Sequence, residues 1–121
     1  MSKFNIVHIE FSTLGREASA KFYSDLFGWK TEQMPEMNYA TFDTEAGLGG
    51  GFSPVQEGNP AGTVLVYIDT DDIDATLTKA VTLGGKTLAT KTEIPGIGWF
   101  GLFADPSGNM VGLFTALNPQ P

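Results

Sequence analysis

The sequence predicts an α+β fold made of two paired βαβββ modules, and three observations carry that prediction. Residues 14–27 place Leu14, Ala18, Phe22, Leu26 and Phe27 at helical spacing and run into Gly28, where a left-handed residue commonly ends a helix. Residues 72–83 do the same and run into Gly84 and Gly85. Each helix-like stretch is preceded by one strand-like run and followed by three, the second copy closing in the hairpin WFGLFADPSGNMVGLF, residues 99–114. That hairpin turns on Asp105, Pro106, Gly108 and Asn109, which supply preset and positive φ angles. Its strands are apolar on both faces, so one face needs a helix over it and the other an enclosed space.

The elements follow in order. Residues 4–11, FNIVHIEF, read as a strand with Val7, Ile9 and Phe11 on one side and Ile6, His8 and Glu10 on the other. After the first helix, residues 29–34 form a strand, 35–38 a turn, 39–44 a third strand and 47–53 a glycine-rich fourth. Residues 56–62, QEGNPAG, connect to the second copy. There, residues 63–69 form a strand, and Asp71 and Asp72 sit where a helix N-terminus favours negative charge. Residues 86–92 form a strand and 95–98 a turn before the hairpin. Superposing LFGWK on LGGKT gives an offset that pairs His8 with Leu65, Glu10 with Tyr67 and Phe11 with Ile68, and near the end GGF (50–52) falls on GLF (112–114). Neither half is expected to be stable alone, so residues 1–121 form one domain, with modules at about 1–56 and 57–121.

Composition narrows the function. Fourteen acidic residues against seven Lys and Arg give a net charge of −7, a field that repels phosphate backbones and anionic membranes. Nucleic acid and membrane are therefore not expected as partners, whereas a cationic ligand is compatible. The absence of cysteine removes disulfides, thiolate ligands and thiol catalysis together. The first residues lack the pattern of a secretory signal and no run reaches membrane-spanning length, so a cytoplasmic location is expected. The run GLGGG (47–51) lacks the third glycine of a dinucleotide fingerprint and no helix follows it. DTDDID (69–74) lacks the glycine and terminal glutamate of a calcium loop and reads as helix capping.

VHIEF, the helix-borne KFY and LFGWK, then YIDTDDIDATLTKAVTLGGK and FADPSGNMVGLF, together resemble the glyoxalase, bleomycin-resistance and dioxygenase group, the vicinal-oxygen-chelate superfamily. The resemblance spans nearly the whole chain. It implies that each module curls a four-stranded sheet into half of a cavity, helices outside, and, because single-domain members commonly pair across a two-fold interface, that this chain forms a homodimer. It further implies metal-ligand positions at His8, Gly50, Leu65 and Gly112, of which His8 alone carries a donor. No bound metal or other cofactor is therefore expected.

These residues point to a metal-independent protein that binds a small molecule, of the resistance or sequestration type. His8, the sole histidine, and Glu10 supply polar groups; Phe52, Tyr67, Trp99 and Phe114 supply aromatic walls for a cationic or aromatic ligand. No catalytic residue is assigned. The alternative is a metal-dependent lyase or isomerase of glyoxalase type, in which a divalent metal polarises vicinal oxygens and a carboxylate moves a proton. A ring-cleaving dioxygenase fits less well, since such iron sites want two histidines and a carboxylate.

Overall fold

The computed structural model describes residues 4–45, 47–56 and 58–117. The order is β1 (Ile6–Thr13), α1 (Arg16–Phe27), β2 (Lys30–Met34), β3 (Tyr39–Asp43), β4 (Gly50–Pro54), β5 (Val64–Asp69), α2 (Ile73–Thr82), β6 (Lys86–Ile94), β7 (Gly98–Ala104) and β8 (Met110–Ala116), which is βαβββ twice. The α+β reading therefore holds. Compact units form from Val7–Leu65 and from residues 66–117 with 4–6. None of the described helices is long and apolar enough to cross a membrane.

In the first unit the strands run in the order β2-β3-β4-β1, with β4 parallel to β1 and antiparallel to β3. Gly28 ends α1 at φ 74°, its N–H donating to the Ser24 carbonyl, and the Pro35–Met37 turn closes on left-handed Asn38. One sheet face packs under α1. There Ala20, Ala40, Phe42 and Phe52 are buried, with Phe11, Tyr23 and Trp29 against them. The rings stack closely, Trp29 on Phe42 at 4.6 Å and Tyr23 on Trp29 at 5.3 Å between centroids.

In the second unit the order is β6-β7-β8-β5, with β5 parallel to β8. Asp72 caps α2 by accepting from the Ala75 N–H at 3.0 Å, satisfying one of the donors a helix start leaves open. The β7–β8 turn is built on Asp105, which accepts from the backbone N–H groups of Ser107 and Asn109 and from the Asn109 side chain, each at 2.9 Å. Those bonds, the Asn109 side chain foremost, hold its carboxyl below the ordinary carboxylate range. Ile73, Leu77 and Leu113 form the core beneath α2, with Ile68, Trp99 and Phe103 packed on it.

Candidate functional site

Alternation along β1 decides where its polar side chains go. Phe11 packs into the core beneath α1, so His8 and Glu10 project from the opposite face. On β3, Ala40 and Phe42 fill the same core, which turns Tyr39 to the side of His8 and Glu10. The three side chains form one chain of hydrogen bonds. The Tyr39 hydroxyl donates to Glu10 Oε2 at 2.9 Å, and His8 Nε2 lies 2.7 Å from the same hydroxyl. A hydroxyl has one proton. With that proton given to Glu10, the Tyr39 oxygen accepts from His8, which places the imidazole proton on Nε2.

Burial sets the charge state. Only 7% of Glu10 is exposed, and a buried carboxylate requires a donor such as the Tyr39 hydroxyl. Burial pushes the His8 imidazole below its ordinary 6.5, so it is neutral at pH 7 and consistent with the Nε2–H tautomer. The arrangement presents a carboxylate acceptor and a neutral imidazole, both oriented by one tyrosine. Such a set can hold a cation or a hydrogen-bond donor, and can accept a proton.

The six residues singled out from the sequence divide between the two units. His8, Glu10 and Phe52 lie in the first; Tyr67, Trp99 and Phe114 lie in the second. Phe52 is a correction: fully buried, it sits in the core beneath α1 and does not line the face that bears His8. The β1–β4 register explains it, because Glu10 pairs with Gly51 and Phe11 with Phe52. In the second unit Tyr67 pairs with Gly112 and Ile68 with Leu113, so Gly51, not Gly50, is the counterpart of Gly112. A one-residue slip in a strand exchanges its faces. Trp99 is a second correction: it pairs with Thr115, shares the side of Leu113 and packs on the α2 core, with Lys91 Nζ 5.1 Å from its ring centroid. Tyr67 and Phe114 do lie opposite α2, alongside Phe100, which pairs with Phe114.

Tyr39 went unrecognised in the sequence, although alternation with Ala40 and Phe42 signals its facing. A groove of about 620 Å³ alongside α2, lined by Phe4, Ala75, Lys79, Leu83, Phe103 and Pro106 among others, contains none of the six.

The positions that the resemblance assigns to a metal do not make a donor set. Leu65 is buried and apolar, and Gly50 lies on the α1 side with Phe42 over it. At Gly112 a Cβ would overlap the Tyr67 ring, so no longer side chain fits there unless that ring moves. Among the described residues no three His, Cys, Asp or Glu side chains gather as a metal site requires. The side chains at these positions do not supply the donors a divalent ion requires.

Comparison with known proteins identifies the family. The profile of the Glyoxalase-like domain matches residues 8–114. A Mycobacterium bovis protein provisionally named glyoxylase CFP32 is 31% identical over 115 residues, covering 89% of this chain and 44% of that protein. The anthracycline biosynthesis protein DnrV of Streptomyces peucetius is 33% identical over 75% of this chain and 39% of its own. The chain thus spans less than half the length of these two curated relatives. A Didymella fabae glyoxylase-like domain-containing protein, 34% identical, is matched over 84% of this chain and 85% of its own length. Among solved structures, a Streptomyces coelicolor methylmalonyl-CoA epimerase superposes with a TM-score of 0.68 at 20% identity, over 99% of both chains, which shows the shared fold. The profile runs from His8, at the start of the hydrogen-bonded chain, to Phe114 in the last strand, and the chain belongs to the family of glyoxalase-like domains.

Proposed function

We propose that this domain binds a small molecule at the face of the first unit opposite α1, with His8, Tyr39 and Glu10 as its polar anchor and without a protein-held metal. The observation that carries the reading is the Tyr39 hydroxyl shared between His8 Nε2 at 2.7 Å and Glu10 Oε2 at 2.9 Å. A carboxylate can accept several hydrogen bonds, so beside the Tyr39 bond Glu10 can receive a positive or hydrogen-bond-donating group of a ligand. The net charge of −7 draws cations toward the protein. An aromatic ligand class agrees with a relative named for anthracycline biosynthesis, anthracyclines being polycyclic aromatics.

The test is a fluorescence titration with 9-aminoacridine, a cationic aromatic probe, before and after dialysis against EDTA. Saturable binding unchanged by the chelator is expected. Binding lost with EDTA and restored by Zn, Ni, Mn or Fe(II) would overturn metal independence.

A second reading is a lyase or isomerase in which Glu10 takes a proton from carbon. It is favoured by the burial of Glu10 and its orientation by Tyr39, since a proton acceptor must be held in place and its solvation controlled. The mycobacterial relative bears a glyoxylase name. One metal per chain in protein purified without chelator, lost in His8→Ala, would move this reading ahead of the first.

A further inference from the structure

A strand glycine without an evident backbone reason stands beside the polar anchor. Gly51 lies mid-strand, paired with Glu10 on one side and Thr41 on the other, and its φ is outside the left-handed region that favours glycine. An L-residue could adopt its backbone. What forbids a side chain is what lies above it: the three atoms a Cβ at Gly51 would meet first all belong to Tyr39, the hydroxyl foremost, and the overlap is severe. Glycine inside a strand costs stability relative to a residue with a side chain, so its presence calls for a compensating close approach.

We infer that Gly51 is a positioning residue: the space left by its missing side chain seats the Tyr39 ring against β4, and that seat holds the hydroxyl between His8 and Glu10. The second unit shows the same device, with the Tyr67 ring over Gly112 and its strand neighbour at 112 likewise free of left-handed backbone. In the first unit the tyrosine comes from β3, so the seat brings a side chain from one strand onto the pair that carries Glu10. This inference deepens the proposed function and rests on it only for its consequence for ligand binding.

His8 is the sole histidine, so its imidazole nitrogens give one unambiguous set of NMR signals. In the ligand-free wild-type protein the Nε2–H signal is expected at the position of a proton hydrogen-bonded to the Tyr39 hydroxyl and slowed in exchange with water. Gly51→Ala is expected to move that signal to its position in Tyr39→Phe, which removes the hydroxyl, and to lower 9-aminoacridine affinity to the Tyr39→Phe level. Because Gly51→Ala can also destabilise the fold, the same change is made in a Tyr39→Ala background, where no ring remains to collide. There it is expected to leave the His8 signals unshifted and to cost little or no melting temperature. Wild-type His8 Nε2–H signals in Gly51→Ala, or an equal loss of melting temperature in both backgrounds, overturn the inference. These signals are read without ligand, so a failure here is separable from a failure of the probe to bind.

Discussion

The two units share one plan and spend their side chains in opposite ways. In the first, the core beneath α1 is aromatic, with Phe11, Tyr23, Trp29, Phe42 and Phe52 packed together, while the opposite face carries His8, Tyr39 and Glu10. In the second, the buried residues beneath α2 are all aliphatic, Ile73, Leu77 and Leu113, with Trp99 and Phe103 packed on them, and the opposite face carries Tyr67, Phe100 and Phe114. Even the helix starts differ: Asp72 caps α2, whereas Gly15 precedes α1 with no side-chain bond to it. The contrast teaches that βαβββ architecture fixes which positions face away from the helix, and leaves the chemistry of those positions to each copy. A hydrogen-bonded polar set belongs to one copy and aromatic surface to the other.

The largest expected effect tests the cores. Phe52→Ala should destabilise by about 3–5 kcal/mol, because a fully buried ring leaves a cavity among stacked neighbours. Leu113→Ala should cost about 2–5 kcal/mol. Denaturant midpoints measure both. An unaffected Phe52→Ala would mean that the ring is not on the α1 side.

Helix capping comes next. Asp72→Ala should cost about 1 kcal/mol through loss of the bond to the Ala75 N–H. Gly15→Ser should stabilise by only a few tenths of a kcal/mol, since glycine is already tolerated at a cap; its backbone is extended and no atom lies within reach of an added Cβ. Thermal melts that give equal and opposite changes would break the distinction between the two helix starts.

The pH dependence is smaller and specific to the first unit. His8 has its folded-state pKa below 6.5, so between that lowered value and 6.5 the unfolded chain binds more protons than the folded one. Its contribution to stability is therefore present above pH 6.5 and is lost as pH falls through the folded pKa. His8→Gln should flatten the stability curve in that window, which denaturation at a series of pH values from about 5 to about 7.5, spanning the ordinary histidine pKa, would detect.

Much of the fold was legible because its punctuation is local. Gly28, Asp72 and the Asp105 to Asn109 turn each impose a geometry through their own backbone or side chain, and each lies where the residue types required it. His8 and Glu10 were legible for the related reason that β1 alternates cleanly. Strand facing failed where alternation carries no information. GLGGG gives no apolar-polar contrast, so the match of Gly50 to Gly112 slipped by one residue and took Phe52 to the wrong face. β7 is apolar on both sides, which left Trp99 without a signal for either face. Tyr39 was hidden differently, as the first residue after a turn, and its role depends on His8 and Glu10 from a distant strand. The start of β1 also moved, from Phe4 to Ile6, Phe4 itself adopting φ 58°.

Anchoring of a positively charged ligand by the Glu10 carboxylate, as proposed, is tested most directly by the affinity of wild type and Glu10→Gln for 9-aminoacridine and for acridine, its neutral counterpart, at pH 7.5. Wild type is expected to prefer the cation and Glu10→Gln to lose about tenfold of that affinity, about 1.4 kcal/mol, while acridine binding changes little. Equal affinity of both proteins for the cation would contradict that anchoring.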